Sequence, residues 1–518
     1  QGSGVSYIPS SAVSSPAPSP TPSPAPQSTA GADLNGYVAE YECRKGNPNC
    51  DVDVEALTEQ ACDVIVTTAD TNWNKITNNT SAKVYCIEKG DHTGKGTLKL
   101  SHSGTANNRK VLRYYSASDD GLPPVKQSNA KQARLWAIQF ENSASYWIIH
   151  RLTFDGGGAN VNTTIRFRWN NNTGSNFNIL NKLLLQNAQA HFVGVGTGNA
   201  DNTLQNSVVR NSIPNFLYEA QCIEIGGGPR FRVVNNEVYN CQKAVSNGNG
   251  LENHPGLVIE NNDLYVTSEY YTDCNGNYTP TGNCSASEQV LNIKAGGTQS
   301  SPAVILHNRL WGGRKGDTNL GLSLGGDGSN LGFGGHGDPN APQAQNYPGG
   351  DWVLVLQNIT FDAAQGFKTT FNTPDHASLI GNIFWDFQSK YGNQRDPNAP
   401  AIFNLYGSLR DSELYFNTMI SGEEWFQGSP SNTDMQCNVV MDAAAKSGNP
   451  SGTISKNAFY NTPSFSTETP SGDITRESAS ASNNTEYCFY RKLLTNPERV
   501  CIPYAKTTTS SPHYNQCA

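Results

Sequence analysis

The sequence predicts an all-β solenoid, a single chain wound into stacked coils of short strands. Three observations carry that prediction: a repeated pattern centred on asparagine, a scarcity of charge, and no sustained helical period. The pattern is apolar residues, Asn, then apolar residues again. It occurs as NILNKLLL (Asn181), TLQNSVV (Asn206), VVNNEVY (Asn236), IENNDLY (Asn262) and ILHNRLW (Asn308). It continues as VLQNITF (Asn358), LIGNIFW (Asn382), LYFNTMI (Asn417), MQCNVVM (Asn438) and ISKNAFY (Asn457). WIIHRLTF around Arg151 reads as a first member with the Asn replaced.

The intervals between these asparagines are 25, 30, 26, 46, 50, 24, 35, 21 and 19 residues. A minimum near 20 suits one coil of about three short strands, with longer intervals holding insertions in the turns. Apolar residues alternate within each unit as strands require. The Asn punctuates a turn where left-handed backbone is tolerated. Stacked amides would then hydrogen-bond along the axis as a ladder.

Composition narrows the class. Charged residues make up 15% of 518 positions, against about 25% in ordinary soluble domains. The 36 Lys+Arg against 44 Asp+Glu give a net charge of −8. That balance, with no basic cluster, argues against a nucleic-acid partner. No run of 18 apolar residues exists to form a membrane-spanning helix. An apolar content of 36% is enough for a long core.

Taken in order, residues 16 to 26 place proline at every second position, P-A-P-S-P-T-P-S-P-A-P. Residues 1–30 therefore read as an extended polyproline tail or spacer contacting an anchor or a neighbouring subunit. Residues 31–130 read as an N-terminal cap and entry coils. Within them DVEALTEQACDV, residues 51 to 62, has helical spacing and an Asp start, and would plug the solenoid's end. Residues 131–465 are the solenoid, and 466–518 a Ser/Thr/Asn-rich extension fixed by disulfides.

Twelve cysteines form an even set: Cys43, Cys50, Cys62, Cys86, Cys222, Cys241, Cys274, Cys284, Cys437, Cys488, Cys501 and Cys517. With no C-x-x-C pair they predict disulfides in an oxidising compartment, extracellular or at the cell surface. Cys274 and Cys284 would staple one loop, and Cys222 and Cys241 would join successive coils. The chain begins at Gln1, which is read as a form whose signal peptide has been removed. Sequons at Asn78, Asn162, Asn277 and Asn483 offer glycan acceptors, and also arise by chance in an Asn-rich chain.

This organisation resembles the right-handed parallel β-helix superfamily of pectate-lyase-like proteins. The resemblance implies a single-stranded right-handed parallel β-helix of about 10–12 coils. The segment EQVLNIKAGG, Glu288 to Gly297, is similar to the glutamate-to-lysine segment of the chondroitinase B and alginate lyase family. That similarity implies Lys294 as a base and Glu288 as a calcium ligand; otherwise no cofactor is required. In that family an Arg on the following coil completes the site. Here that coil is read as DTNLGLSLGGDGS, without Arg, and Arg309, Arg314 and Lys315 sit at other pattern positions. GGDGSN (Gly325 to Asn330) reads as part of a long insertion.

Aligning the coils on their asparagines puts Glu224, Asn292, Ser323, Lys368 and Tyr406 on one outward face. With Trp311, Trp352 and Trp385 they would line a sugar-binding groove. Two functions follow as expectations. The first is an extracellular structural or adhesive rod, assembling with copies of itself or with glycans through the proline track. The second is a secreted polysaccharide lyase that cleaves a uronate-containing glycan by β-elimination at Lys294.

Overall fold

The computed structural model describes residues 49, 51–118, 121–156, 163–167, 174–188, 191–196, 198–212, 221–247, 253–267, 289–313, 329–333, 351–363, 365–369, 375–387, 401–405 and 409–465, with strands 474–476, 486–491, 498–503 and 505–507. The chain coils into a right-handed parallel β-helix with three faces. Sheet A has 14 parallel strands, from Val64–Val66 to Ile454–Ser455. Sheet B runs through Thr153–Asp155, Glu237–Tyr239, Asp263–Tyr265 and Arg309–Trp311 to Ala458–Tyr460. Sheet C runs from Thr97–Leu100 through Gln221–Ile225, Lys243–Asn247 and Gln289–Ile293 to Ala401–Leu405.

The coils outnumber the asparagine signals because residues 64–135 supply strands to the same sheets without carrying that signal. Near the other end the strand Thr418–Gly428 pairs with both Ile383–Phe387 and Ala401–Leu405, so sheets B and C become continuous there.

Burial explains the stacking. One inward row of sheet A is Leu180, Leu204, Val233, Ile259, Ile305, Val355, Leu379 and Leu414, each register-paired with the next and shut off from solvent. Each such side chain contributes about 1.5–3 kcal/mol of burial. Short strands suffice because every coil extends the same core.

The corner from sheet A to sheet B takes two residues with different jobs. The first is left-handed: Asn235, Asn261, His307, Gln357 and Phe416 have φ between 50° and 57°. The second carries the ladder. Asn236, Asn262, Asn308, Asn358, Asn382, Asn417 and Asn438 each donate an amide N–H to the Oδ1 of the next asparagine, ending at Asn457. That same Oδ1 also accepts the donor residue's backbone N–H. The expectation that the ladder asparagine is itself left-handed is therefore corrected by one residue.

Two predicted rungs are displaced. Asn206 is the left-handed residue of its corner, φ 53°, and Ser207 holds the rung, its N–H donating to Asn236. Asn181 ends a sheet A strand, where it accepts from Asn206 and meets His150; Leu183 holds its coil's rung position. A second, unforeseen asparagine pair is stacked at the entry to sheet A, Asn178 on Asn202.

The segment 51–62 does contain a helix, Val54–Thr58, with Asp53 capping it through the Ala56 N–H. It lies on the outer face of sheet A, where Val54 packs with Val84, Cys86, Val111, Ile148 and Ile179. The end of the core is closed by Trp73 and by Ile76 of a second short helix, Asn74–Thr77, packed with Val64, Val66 and Leu98. At the far end Trp425, Phe426, Phe459 and Phe465 pack on one another.

Disulfides join Cys62 to Cys86 and Cys222 to Cys241, the latter linking successive coils as the spacing suggested. Cys437 is also disulfide-bonded. Cys488 and Cys501 are register partners in the antiparallel strands Glu486–Arg491 and Glu498–Pro503. Cys43, Cys50, Cys274, Cys284 and Cys517 lie outside the described residues, as does the proline track. These bonds suit an oxidising, extracytoplasmic compartment. Among the described residues no helix is long and apolar enough to cross a membrane.

Candidate functional site

The site grows from the alternation of sheet C. Ile223, Val245, Leu291, Phe367 and Phe403 point into the core. The residue after each therefore points out, and register aligns those residues along the solenoid as Glu224, Ser246, Asn292, Gly332, Lys368 and Asn404. The residues that begin the same strands are also aligned, with Lys243 beside Gln289 and Gln365 two coils further on.

This face treats its amides differently from the ladder. Every ladder amide is spent on neighbours. In the outward row of sheet C, Ser246 Oγ, Asn292 Oδ1 and Asn404 Oδ1 are buried and have no hydrogen-bond partner. A buried polar atom left unsatisfied costs about 1–3 kcal/mol. Native proteins carry few of them. Three such atoms share one outward row, interrupted by Gly332 and Lys368 between Asn292 and Asn404.

Charge sits in the same rows. Glu224 Oε2 lies 3.3 Å from His191 Nε2. Lys294 follows the strand Gln289–Ile293 and is almost wholly buried. Its backbone is clamped by Asn247, whose Oδ1 accepts the N–H of Lys294 at 2.6 Å and of Ala295 at 3.2 Å. Two residues on, a Cβ at Gly296 would come within 1.7 Å of the Asp351 carbonyl oxygen, so close approach of the next coil requires glycine. The Gly296 carbonyl accepts the His254 N–H at 2.7 Å. The His254 imidazole is fully buried with neither nitrogen bonded, and burial pushes it down to about 4.

Three of the expected groove residues, Glu224, Asn292 and Lys368, share the outward row, and Lys294 lies two residues beyond it. Gly332 and Asn404 occupy the positions assigned to Ser323 and Tyr406, which themselves lie outside the described residues, as do Glu288, Arg314 and Lys315. The coil after Lys294 contributes the strand Ser329–Phe333, so the SN of GGDGSN belongs to sheet C rather than to an insertion.

Arg309 is placed elsewhere. It begins a sheet B strand beside the asparagine ladder and is paired with Asp263 in the coil before. An arginine held by a buried carboxylate at that corner is not delivered to sheet C. Trp311 is likewise unsuited to a sugar platform. Tyr265 stacks on one face of its ring at 4.3 Å and Phe361 on the other at 5.4 Å, leaving no face for a pyranose. Trp385 continues that stack against Phe361 and packs with Ile420, Met441 and Ala458. Trp352 stacks on His376 at the corner leading into sheet A. Sequence reading missed Ser246, Asn247, Gln365, Asn404 and His254, none of which stands in a recurring pattern.

The calcium expectation rested on Glu288. The described residues gather no group of three or more His, Cys, Asp or Glu side chains able to hold a metal.

Comparison with solved structures bears on the fold. The PL6 family alginate lyase AlyGC superposes with a TM-score of 0.52 at 12% identity, covering 80% of this chain and 53% of that one. The chain has the right-handed parallel β-helix fold. It spans about half the length of that lyase. A mannuronic acid specific polysaccharide family 6 lyase from human gut microbiota matches with a TM-score of 0.48 and 9% identity, over 77% of this chain and 87% of that one. The PL6 family lyase Pedsa3628 from Pseudopedobacter saltans gives 0.46 and 11%, over 81% and 97%. No family model and no curated protein matches the sequence.

Proposed function

We propose that the protein is a secreted polysaccharide lyase that cleaves a uronate-containing glycan by β-elimination along the outer face of sheet C. The observation that carries this reading is Lys294 beside an outward row that holds Ser246, Asn292, Lys368 and Asn404, with the Ser246, Asn292 and Asn404 side-chain oxygens unspent. A glycan lying along the solenoid axis would meet one outward residue per coil, spaced about 4.8 Å apart. Ser246, Asn292 and Asn404 would bond its hydroxyls. Lys294, neutral when it acts and held by Asn247, would take the C5 proton beside the uronate carboxylate; the bond from C4 to the glycosidic oxygen would then break to leave a C4=C5 double bond, and that oxygen would take a proton from water. Lys368, in the same row, would supply the positive charge that faces the developing enolate. The fold shared with an alginate lyase supports the reading as background.

The test is a panel of uronate polysaccharides followed by the ultraviolet absorbance of unsaturated chain ends. One member should be cleaved, and Lys294→Ala should lower kcat by about 10²–10⁴. Equal inactivity of wild type and variant on every member would end the proposal. The structural-rod alternative draws on the low charge, the disulfides, the missing Arg and the proline track, the last of which lies outside the described residues.

A further inference from the structure

The outer face of sheet A carries an apolar track. Near its start the outward residues Val84, Val111, Ile148 and Ile179 are covered by Val52, Val54 and Leu57 of the incoming chain. Following that chain backward from Cys62, it advances along the solenoid. Cys62 is bonded to Cys86, Glu55 reaches Lys182, and Asn49 bonds the Asn178 and Asp201 carbonyls and Thr203 Oγ1. Arg109 locks Asn49 from the other side at 2.8 Å.

The same outward row continues past Asn49 through Arg232 and Val258 to Val304 and Leu354. Val304, Leu306, Leu354 and Leu356 form an apolar cluster separate from the main core, completed among the described residues only by Ile380. They point away from the core and yet are 1%, 0%, 7% and 0% exposed. Arg232, midway along the track, is 6% exposed and paired with Glu260. Outward leucines that are closed to solvent require a cover.

We propose that this face is the docking track of the chain's own residues 34–41, which continue backward along sheet A from the Asn49 anchor. Length permits it. Val304 and Leu354 lie three and four strands beyond Thr203 in sheet A, about 14 and 19 Å at a strand spacing of about 4.8 Å. The eight residues from Asn49 back to Tyr41 span about 26 Å when extended. Chemistry matches as well. Residues 34–41 read LNGYVAEY, supplying Leu34, Tyr37, Val38 and Tyr41 to an aliphatic surface. The stretch between, with Arg44 and Lys45, crosses the coil that carries Glu260.

The test uses the full chain at low concentration with Tyr41→p-benzoylphenylalanine, illuminated, digested and mapped by mass spectrometry. Cross-links within one chain to peptides containing 303–306 or 353–356 are expected. The pair Leu306→Asp and Leu354→Asp should lower their yield at least tenfold while preserving the far-ultraviolet circular dichroism. Cross-links into residues 466–518, a covalent dimer, or no cross-link would each overturn the proposal. The map from the otherwise unaltered chain decides the matter even if the Asp variants do not fold.

Discussion

Removing the Asn308 side chain separates a structural amide from one on the face proposed to bind glycan. Asn308 Nδ2 donates to Asn358 Oδ1 at 3.0 Å and to the Ile259 carbonyl at 2.8 Å. Its Oδ1 accepts from Asn262 twice, from the backbone N–H at 3.0 Å and from Nδ2 at 2.9 Å. Asn308→Ala deletes all four bonds in a fully buried corner. Two buried backbone groups, the Asn262 N–H and the Ile259 carbonyl, then lose this partner, at about 1–3 kcal/mol each. A loss of about 2–6 kcal/mol is expected. Asn292→Ala is the control, because its Oδ1 has no partner to lose; it should change stability by less than about 1 kcal/mol. Urea titrations followed by circular dichroism compare the two at matched slopes. Equal destabilisation by both variants would refute the distinction between the rows, and with it the case for a ligand on sheet C.

Acid should destabilise the fold through its buried imidazoles. Burial holds His254 at about 4 and His150 at about 3, against an ordinary 6.5, so the unfolded chain binds more protons between those limits. Their stabilisation is complete above pH 6.5 and fades as pH falls toward 4 and then 3, His254 alone giving about 3 kcal/mol. His254→Gln should flatten the urea midpoint between pH 7 and 4.5. The opposite sign applies at Glu413, whose carboxyl is held high by burial and by Asp434, against the hydrogen bond from Ser378. Its raised affinity for a proton stabilises the fold below pH 4.5 and is lost as pH rises, so Glu413→Gln should raise the melting temperature at pH 8 and not at pH 4. Opening the Cys222–Cys241 bridge, 19 residues apart, by paired serine substitutions should cost about 3 kcal/mol in the same titration. Trp311→Leu should lower stability without altering glycan affinity by isothermal titration, since both faces of that ring are already occupied.

The coil repeat was legible because asparagine holds the rung from Asn236 to Asn457, where one amide both donates and accepts, although Leu183 and Ser207 hold it in the two coils before. Its exact register was not, because the neighbouring left-handed position also favours asparagine. In Asn235–Asn236 and Asn261–Asn262 the two roles fall on adjacent asparagines, and in Asn206–Ser207 the sequence offers no means of telling which role Asn206 plays. The outward row of Glu224, Asn292 and Lys368 was legible because period-two alternation survives within strands. It failed at the coil after Lys294, where two similar segments, LGLSLGG and SNLGF, compete for one strand. The stack that occupies Trp311 and the pairing of Arg309 with Asp263 depend on neighbours 46 to 50 residues away. Spacing along one coil cannot reveal them.

The continuity of sheets B and C at Thr418–Gly428 sets where this scaffold would accept foreign sequence. Upstream, a strand of sheet B and the next strand of sheet C are far apart in sequence, as from Tyr265 to Gln289 or from Trp311 to Ser329. In Thr418–Gly428 and Val439–Ser447 that separation is replaced by unbroken strand, and the asparagine intervals shrink to 21 and 19 residues. Loop grafts therefore belong in the upstream coils. The terminal coils form a plain shaft, where the same graft would have to sever a strand.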